Sequence, residues 1–195
     1  TNPYIKIKKA DKYFDKSILK EIIKIGFPTG IQQSVIALSQ IFIIGIVAIF
    51  GSNALTAYSA ASRIESIALL LILNYSSALS SFVGQNYGAT MYSRVRKSLS
   101  HSLQITSIIS LITAIVFCCL GKQIMILFSQ TPEVLEIGFD YLFIMGLFWI
   151  TLSAMNVFQS FFRGLGDTFY PMLISILSLW IIRLPISYLL SLKMG

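Results

Sequence analysis

Apolar residues fill this chain in long blocks, and charged residues mark where each block stops. Between Lys24 and Arg63 lie 38 residues without a charge, between Glu65 and Arg94 lie 28, and between Lys97 and Lys122 lie 24. Asp140 to Arg163 encloses 22 more, and Asp167 to Arg183 another 15. A helix that crosses a bilayer core takes about 20 predominantly apolar residues. The pattern therefore predicts five membrane spans, at about 25–50, 54–83, 99–120, 134–162 and 168–192.

Punctuation residues support those limits. An amphipathic run, Lys16 to Lys24, leads into Gly26 and Pro28, and Phe50-Gly-Ser-Asn53 closes the first span. The second span ends in Gly84-Gln-Asn-Tyr-Gly88, and a basic connector, Arg94 to Lys97, precedes the third. Gly121 to Thr131 reads as a surface connection. Thr131-Pro132-Glu133 reads as a helix start, with a hydroxyl to cap it and proline at the first helical position. The turn Arg163-Gly-Leu-Gly-Asp167 then leads to the fifth span.

Composition fixes the class. Of the 195 residues, 55% are hydrophobic and 12% charged, about half the charged share of a soluble domain. With a mean hydropathy of +0.77 there is too little polar side chain to clothe a water-soluble globule of this size. The fold class is an all-α polytopic transmembrane helical bundle, with the lipid bilayer as its first partner. A cytosolic enzyme, a DNA-binding module and a disulfide-stapled secreted domain are excluded. The net charge of +7 forms no basic face interleaved with exposed aromatics on a soluble scaffold, so no nucleic-acid partner is expected. Cys118 and Cys119 are adjacent, point about 100° apart on a helix and read as apolar filler.

Charge instead sets the orientation. One side of the membrane would hold the N-terminal segment, the connector between spans two and three, and the turn between spans four and five. That side carries 11 of the 15 lysines and arginines, and the other carries only Lys122 and Lys193. Lysine and arginine stay cytoplasmic. This places the N-terminal segment inside and the C-terminal end outside a plasma (inner) membrane crossed several times.

Polar side chains that cannot reach water are the candidate chemistry. Arg63 and Glu65 lie within span two, where each costs about 2.5–3.5 kcal/mol near the centre of an isolated helix. Two residues apart is about 200° around a helix, so they do not pair with each other. The Arg63 face continues through Ser59, Ser66, Asn74 and Ser77, and Glu65 shares its face with Tyr58 and Ser62. Each face suits either an ion pair with a neighbouring helix or a water-filled pathway in which Glu65 holds a proton, an ion or a cationic substrate. Span one presents Thr29, Gln33, Ala37 and Gln40 along one side, and span four presents Trp149, Ser153, Asn156 and Ser160. Small and amide side chains at this spacing serve helix packing or, alternatively, line a cavity for an amphipathic ligand. The six methionines suit a greasy, adaptable pocket, and His101 sits at the cytoplasmic end of span three. No metal-binding histidine pair, nucleophile elbow, phosphate-cradling loop or intramembrane aspartate pair is present, so no enzymatic activity and no cofactor are expected.

The motifs add what periodicity does not. Gly26-Phe-Pro-Thr-Gly-Ile-Gln-Gln33, Ala57-Tyr-Ser-Ala-Ala-Ser-Arg-Ile64 and Phe82-Val-Gly-Gln-Asn-Tyr-Gly-Ala89 resemble the multidrug and toxic compound extrusion (MATE) transporters. Phe162-Arg-Gly-Leu-Gly-Asp-Thr168 with Pro171, and Arg183-Leu-Pro-Ile-Ser-Tyr188, continue the match in order over essentially the whole chain. Pro28, Gly84, Gln85, Asn86, Arg163, Gly164, Asp167, Arg183 and Pro185 are thereby marked as motif residues with structural roles. The resemblance implies two six-helix lobes, with residues 1–24 as the cytoplasmic linker and 25–195 as helices seven to eleven of the C-terminal lobe. It implies that the last helix and the N-terminal lobe belong to a longer polypeptide.

The resemblance also implies a secondary antiporter that exports small organic, often cationic compounds in exchange for Na+ or H+, the coupling ion, by alternating access. One departure stands out. The sodium-coupled branch carries carboxylates in the first and fourth helices of this lobe, whereas residues 25–50 and 141–162 here contain neither Asp nor Glu. Substrate or ion pathway candidates are Gln33, Gln40, Tyr58, Arg63, Glu65, Asn74, Trp149 and Asn156. A lipid-linked oligosaccharide flippase or polysaccharide exporter of the same superfamily would use Arg63 and Arg183 as its cavity cations. A membrane scaffold or sensor would use the polar stripes only to bind partner helices.

Overall fold

Helices are the only way for single apolar segments to satisfy their backbone within a bilayer, and the computed structural model, which describes residues 14–194, is built from them. α1 spans Lys16–Ala48, α2 Ser52–Gly88, α3 Tyr92–Ile126 and α4 Pro132–Gly164. The fifth span is continuous but changes its winding, from α5 (Phe169–Ile176) through a π-helical stretch (Leu177–Arg183) to α6 (Leu184–Met194). All five spans are long and apolar enough to cross a membrane. Their outward side chains are apolar, as in Ile67, Leu71, Ile108, Leu147 and Phe148, each more than 59% exposed. Such an exterior needs lipid rather than water.

The helices outrun the apolar blocks. α1 begins at Lys16, inside the segment expected as linker, because Asp15 caps it by accepting from the backbone N–H of Ser17 at 2.8 Å and of Ile18 at 3.4 Å. Residues 1–13 of that linker lie outside the described residues. Pro28 does not stop α1, although it removes the donor for the carbonyl of Lys24. The neighbouring carbonyl of Ile25 accepts two hydroxyls, from Thr29 at 2.8 Å and from Thr168 of the fifth span at 3.1 Å. Gly84 to Gly88 is the last turn of α2, and Arg94 to Lys97 is the first turn of α3 rather than a loop. Gly121 to Ile126, expected at the surface, is helical and carries the fully buried Met125. Pro132 does open α4, but Thr131 caps it without a side-chain bond.

Packing divides the bundle. α2, α3 and α4 form the core, in which Phe117 and Trp149 meet edge to face at 5.2 Å among Ile64, Ile72 and Leu142. α1 pairs with the fifth span, held by Trp180 donating to the carbonyl of Val35 at 3.3 Å and stacking edge-on against Phe42. Where α2 crosses α4, glycine is required. A Cβ on Gly164 would lie 2.6 Å from the carbonyl oxygen of Ser80 and 2.8 Å from Val83 Cβ, and one on Gly84 would lie 3.3 Å from the carbonyl of Gly164. Two separated motifs thus meet because neither has a side chain there. Gly166 then takes φ +82° and ends α4, its N–H bonding to the carbonyl of Arg163 and that of Asp167 to Phe162, both at 3.0 Å. This six-to-one and five-to-two closure explains the Arg-Gly-Leu-Gly-Asp order of the turn.

Candidate functional site: a carboxylate cluster beside a cavity

Glu65 is the acidic side chain set deepest within a span, 13 residues into α2 from Ser52 and about 20 Å along its axis. The structure gives it a hydroxyl partner: Tyr141 of α4 donates to Oε2 at 2.6 Å. Tyr141 also meets Tyr58 of α2 edge to face, with ring centroids 5.5 Å apart, and Tyr58 donates to Oε1 of Gln40 on α1 at 3.1 Å. Two hydrogen-bonded pairs, Gln40 with Tyr58 and Tyr141 with Glu65, thus meet through their rings and link α1, α2 and α4. Three of the five spans contribute to this cluster.

The cluster has room beside it. Val47 and Phe50 of α1, Ala54 and Tyr58 of α2, and Ile137 and Tyr141 of α4 line an open cavity of about 420 Å³. Pockets for small molecules run from about 300 Å³ upward, mostly apolar with a few convergent polar groups. Here the two tyrosines supply those groups, and the carboxylate stands behind Tyr141. The oxygens of Gln40, Tyr58, Tyr141 and Glu65 are hard donors, suited to a proton or a small hard cation.

Sequence reasoning assembled part of this arrangement. Gln40, Tyr58 and Glu65 come together, whereas Tyr141 bears no mark in the sequence beyond a phenol inside an apolar run. Gln33 is exposed, and it is its neighbour Gln32 that is buried, donating to Ser175 Oγ at 2.7 Å and to Gln159 Oε1 and the Pro171 carbonyl at 3.3 Å. Trp149 is not a cavity wall but a core residue, with Ser153 and Ser160 buried in the same packing. Asn156 is half-buried and bonds back to the carbonyl of Leu152 at 2.9 Å. Arg63, Asn74, Ser59, Ser66 and Ser77 form an exposed stripe on α2; Ser59, Ser66 and Asn74 satisfy themselves on their own helix's carbonyls. Gln85, Arg183 and Pro185 are exposed, Asn86 is buried, and Arg163 and Asp167 are half-buried at the α4 turn. Among the described residues no cluster of three or more His, Cys, Asp or Glu could hold a metal.

The family model described as MatE matches residues 28–189. The probable multidrug resistance protein YoeA of Bacillus subtilis is 27% identical over 91% of this chain and 38% of its own length. A probable multidrug resistance protein NorM of Thermotoga maritima is 25% identical over 88% of this chain and 37% of its own. The chain therefore spans about two fifths of the length of these curated relatives. Among solved structures, a MOP superfamily transporter from Pyrococcus furiosus superposes with a TM-score of 0.89 at 18% identity, over 97% of this chain and 43% of that one. At that identity the likeness establishes the fold.

Proposed function

The chain belongs to the MatE family, and from that premise we propose that it supplies the C-terminal lobe of a secondary antiporter exporting small organic, often cationic compounds in exchange for H+ or Na+. The observation that carries the reading is the Glu65 cluster: a carboxylate deep in a span, hydrogen-bonded to Tyr141, which lines a cavity. An ionised Glu65 is acceptor-only and holds Tyr141 as its donor; a protonated one gains a donor of its own. Neutralising this carboxylate, by a proton or by a bound cation, therefore changes the bond that ties α2 to α4 beside the cavity. That is the kind of event by which ion binding biases a conformational equilibrium.

The exposed polar stripe on α2 supports a second lobe. Arg63, Ser66 and Asn74 are costly against hydrocarbon, so they fit a face turned toward water or toward further helices. In repeat-built transporters the substrate site lies at such an interface, and access alternates as the repeats move. Substrate would enter between this lobe and an N-terminal one, with Gln40, Tyr58 and Tyr141 lining its path and Glu65 exchanging the ion.

Topology is open to direct test. In intact cells a cysteine at Lys97 is expected to be shielded from an impermeant thiol reagent and one at Glu133 labelled, following the 11-of-15 charge bias. The reverse labelling would overturn the proposed orientation.

A further inference from the structure

α3 carries a second feature, remote from the Glu65 cavity. At its N-terminal end, an open cavity of about 370 Å³ lies in the groove shared with α2. Its floor is Tyr75, Ala78, Leu79 and Phe82 of α2, and its α3 wall is Ser98, His101 and Ser102. The hydroxyls of Tyr75 and Ser102, 3.4 Å apart, bridge the two helices at its deep end. Four and seven residues recur on one helical face, so Arg94, Ser98 and His101 stand in one row, with Lys97 at its edge. The row continues through Ile105, Ile108 and Ile112, exposed by 43%, 60% and 58%. Along one outward face, α3 thus passes from cationic to hydroxyl and imidazole to purely apolar within about 27 Å. The first turn of α3 holds no acidic residue to oppose an anion.

We propose that this groove binds one anionic phospholipid. Its phosphate would sit against Arg94 and Lys97, its glycerol region beside Ser98 and His101, and one acyl chain along Leu79, Phe82 and Ile105. Charge complementarity selects the headgroup, and the apolar floor demands the chain. Basic pockets between spans on the cytoplasmic side are suited to anionic headgroups. Placement in the cytoplasmic leaflet rests on the orientation proposed above, but the site does not depend on transport. A free phosphate shares the headgroup chemistry and leaves the apolar floor unused.

The test is native mass spectrometry of the full-length protein in micelles offered equal dioleoylphosphatidylglycerol and dioleoylphosphatidylcholine, which requires neither orientation nor transport. Phosphatidylglycerol is expected to be retained over phosphatidylcholine by about twenty-five-fold, since each of the two basic residues near the headgroup favours an anionic lipid by about fivefold. The exposed double variant Arg94→Gln/Lys97→Gln is expected to lose that preference. Arg96→Gln, on the face of α3 opposite Arg94, is expected to keep it, and Ala78→Trp to lower retention of both lipids. Equal retention of the two lipids by the unaltered protein would overturn the proposal. So would an Arg96→Gln loss as large as that of the double variant, or displacement of the lipid by an equal concentration of glycerol phosphate.

Discussion

Glu65→Gln in the full-length protein is expected to lower gradient-driven dye efflux about tenfold or more, or to abolish its pH dependence, with membrane levels unchanged. Glutamine keeps the size of the side chain and an acceptor for Tyr141, whose hydroxyl donates at 2.6 Å, so the packing of α2 on α4 survives. What it removes is the charge, and with it the capacity to exchange a proton or a cation. Tyr141→Phe is the companion: it keeps the ring that packs on Tyr58 at 5.5 Å and removes only the donor to the carboxylate. It is expected to shift the ion or pH dependence of efflux while leaving efflux measurable. Normal transport with an unchanged pH profile in Glu65→Gln would place this carboxylate among the packing residues.

A larger effect on stability is expected at Gly164. A Cβ there would lie 2.6 Å from the Ser80 carbonyl and 2.8 Å from Val83 Cβ, both on α2, where backbone and a β-branched stem leave nothing flexible to yield. Overpacking of this kind costs about 1–3 kcal/mol. Gly164→Val is therefore expected to lower the melting temperature in detergent sharply and to reduce the folded yield. Gly26→Ala is the control. Nothing lies within 4 Å of a Cβ at Gly26, and alanine is the better helix former. A Gly164→Val protein as stable as the Gly26→Ala one would contradict the close approach of α2 and α4.

The spans were legible because lipid leaves so few ways to place a charge: each transmembrane helix carries a long charge-free stretch. Their ends were not. Gly84 to Gly88 and Gly121 read as breaks, yet both lie in helix, because a glycine that lets two helices touch looks in sequence like a glycine that ends one. Arg94 to Lys97 read as a connector, yet helical backbone extends past the apolar core to carry these residues at the surface. Periodicity put Glu65 and Tyr58 on one face of α2, which the structure repeats. It had no means of finding Tyr141, whose partner is 76 residues away in the chain. Nor could it choose between Gln32 and Gln33, since a polar pair at adjacent positions leaves the rotation of the helix to whatever packs against it. Trp149 shows the same gap from the other side: its stripe was visible, and only the fold tells that α3 covers it.

An ion gradient is expected to drive export through a path this lobe shares with another. Purified full-length protein in proteoliposomes loaded with a fluorescent cationic dye, with H+ or Na+ gradients imposed in turn, tests it most directly. Dye is expected to move against its own gradient until an ionophore collapses the ion gradient, with no such movement from residues 1–195 reconstituted alone. Dye transport indifferent to both gradients, or robust gradient-driven transport by the 195-residue chain by itself, would contradict it.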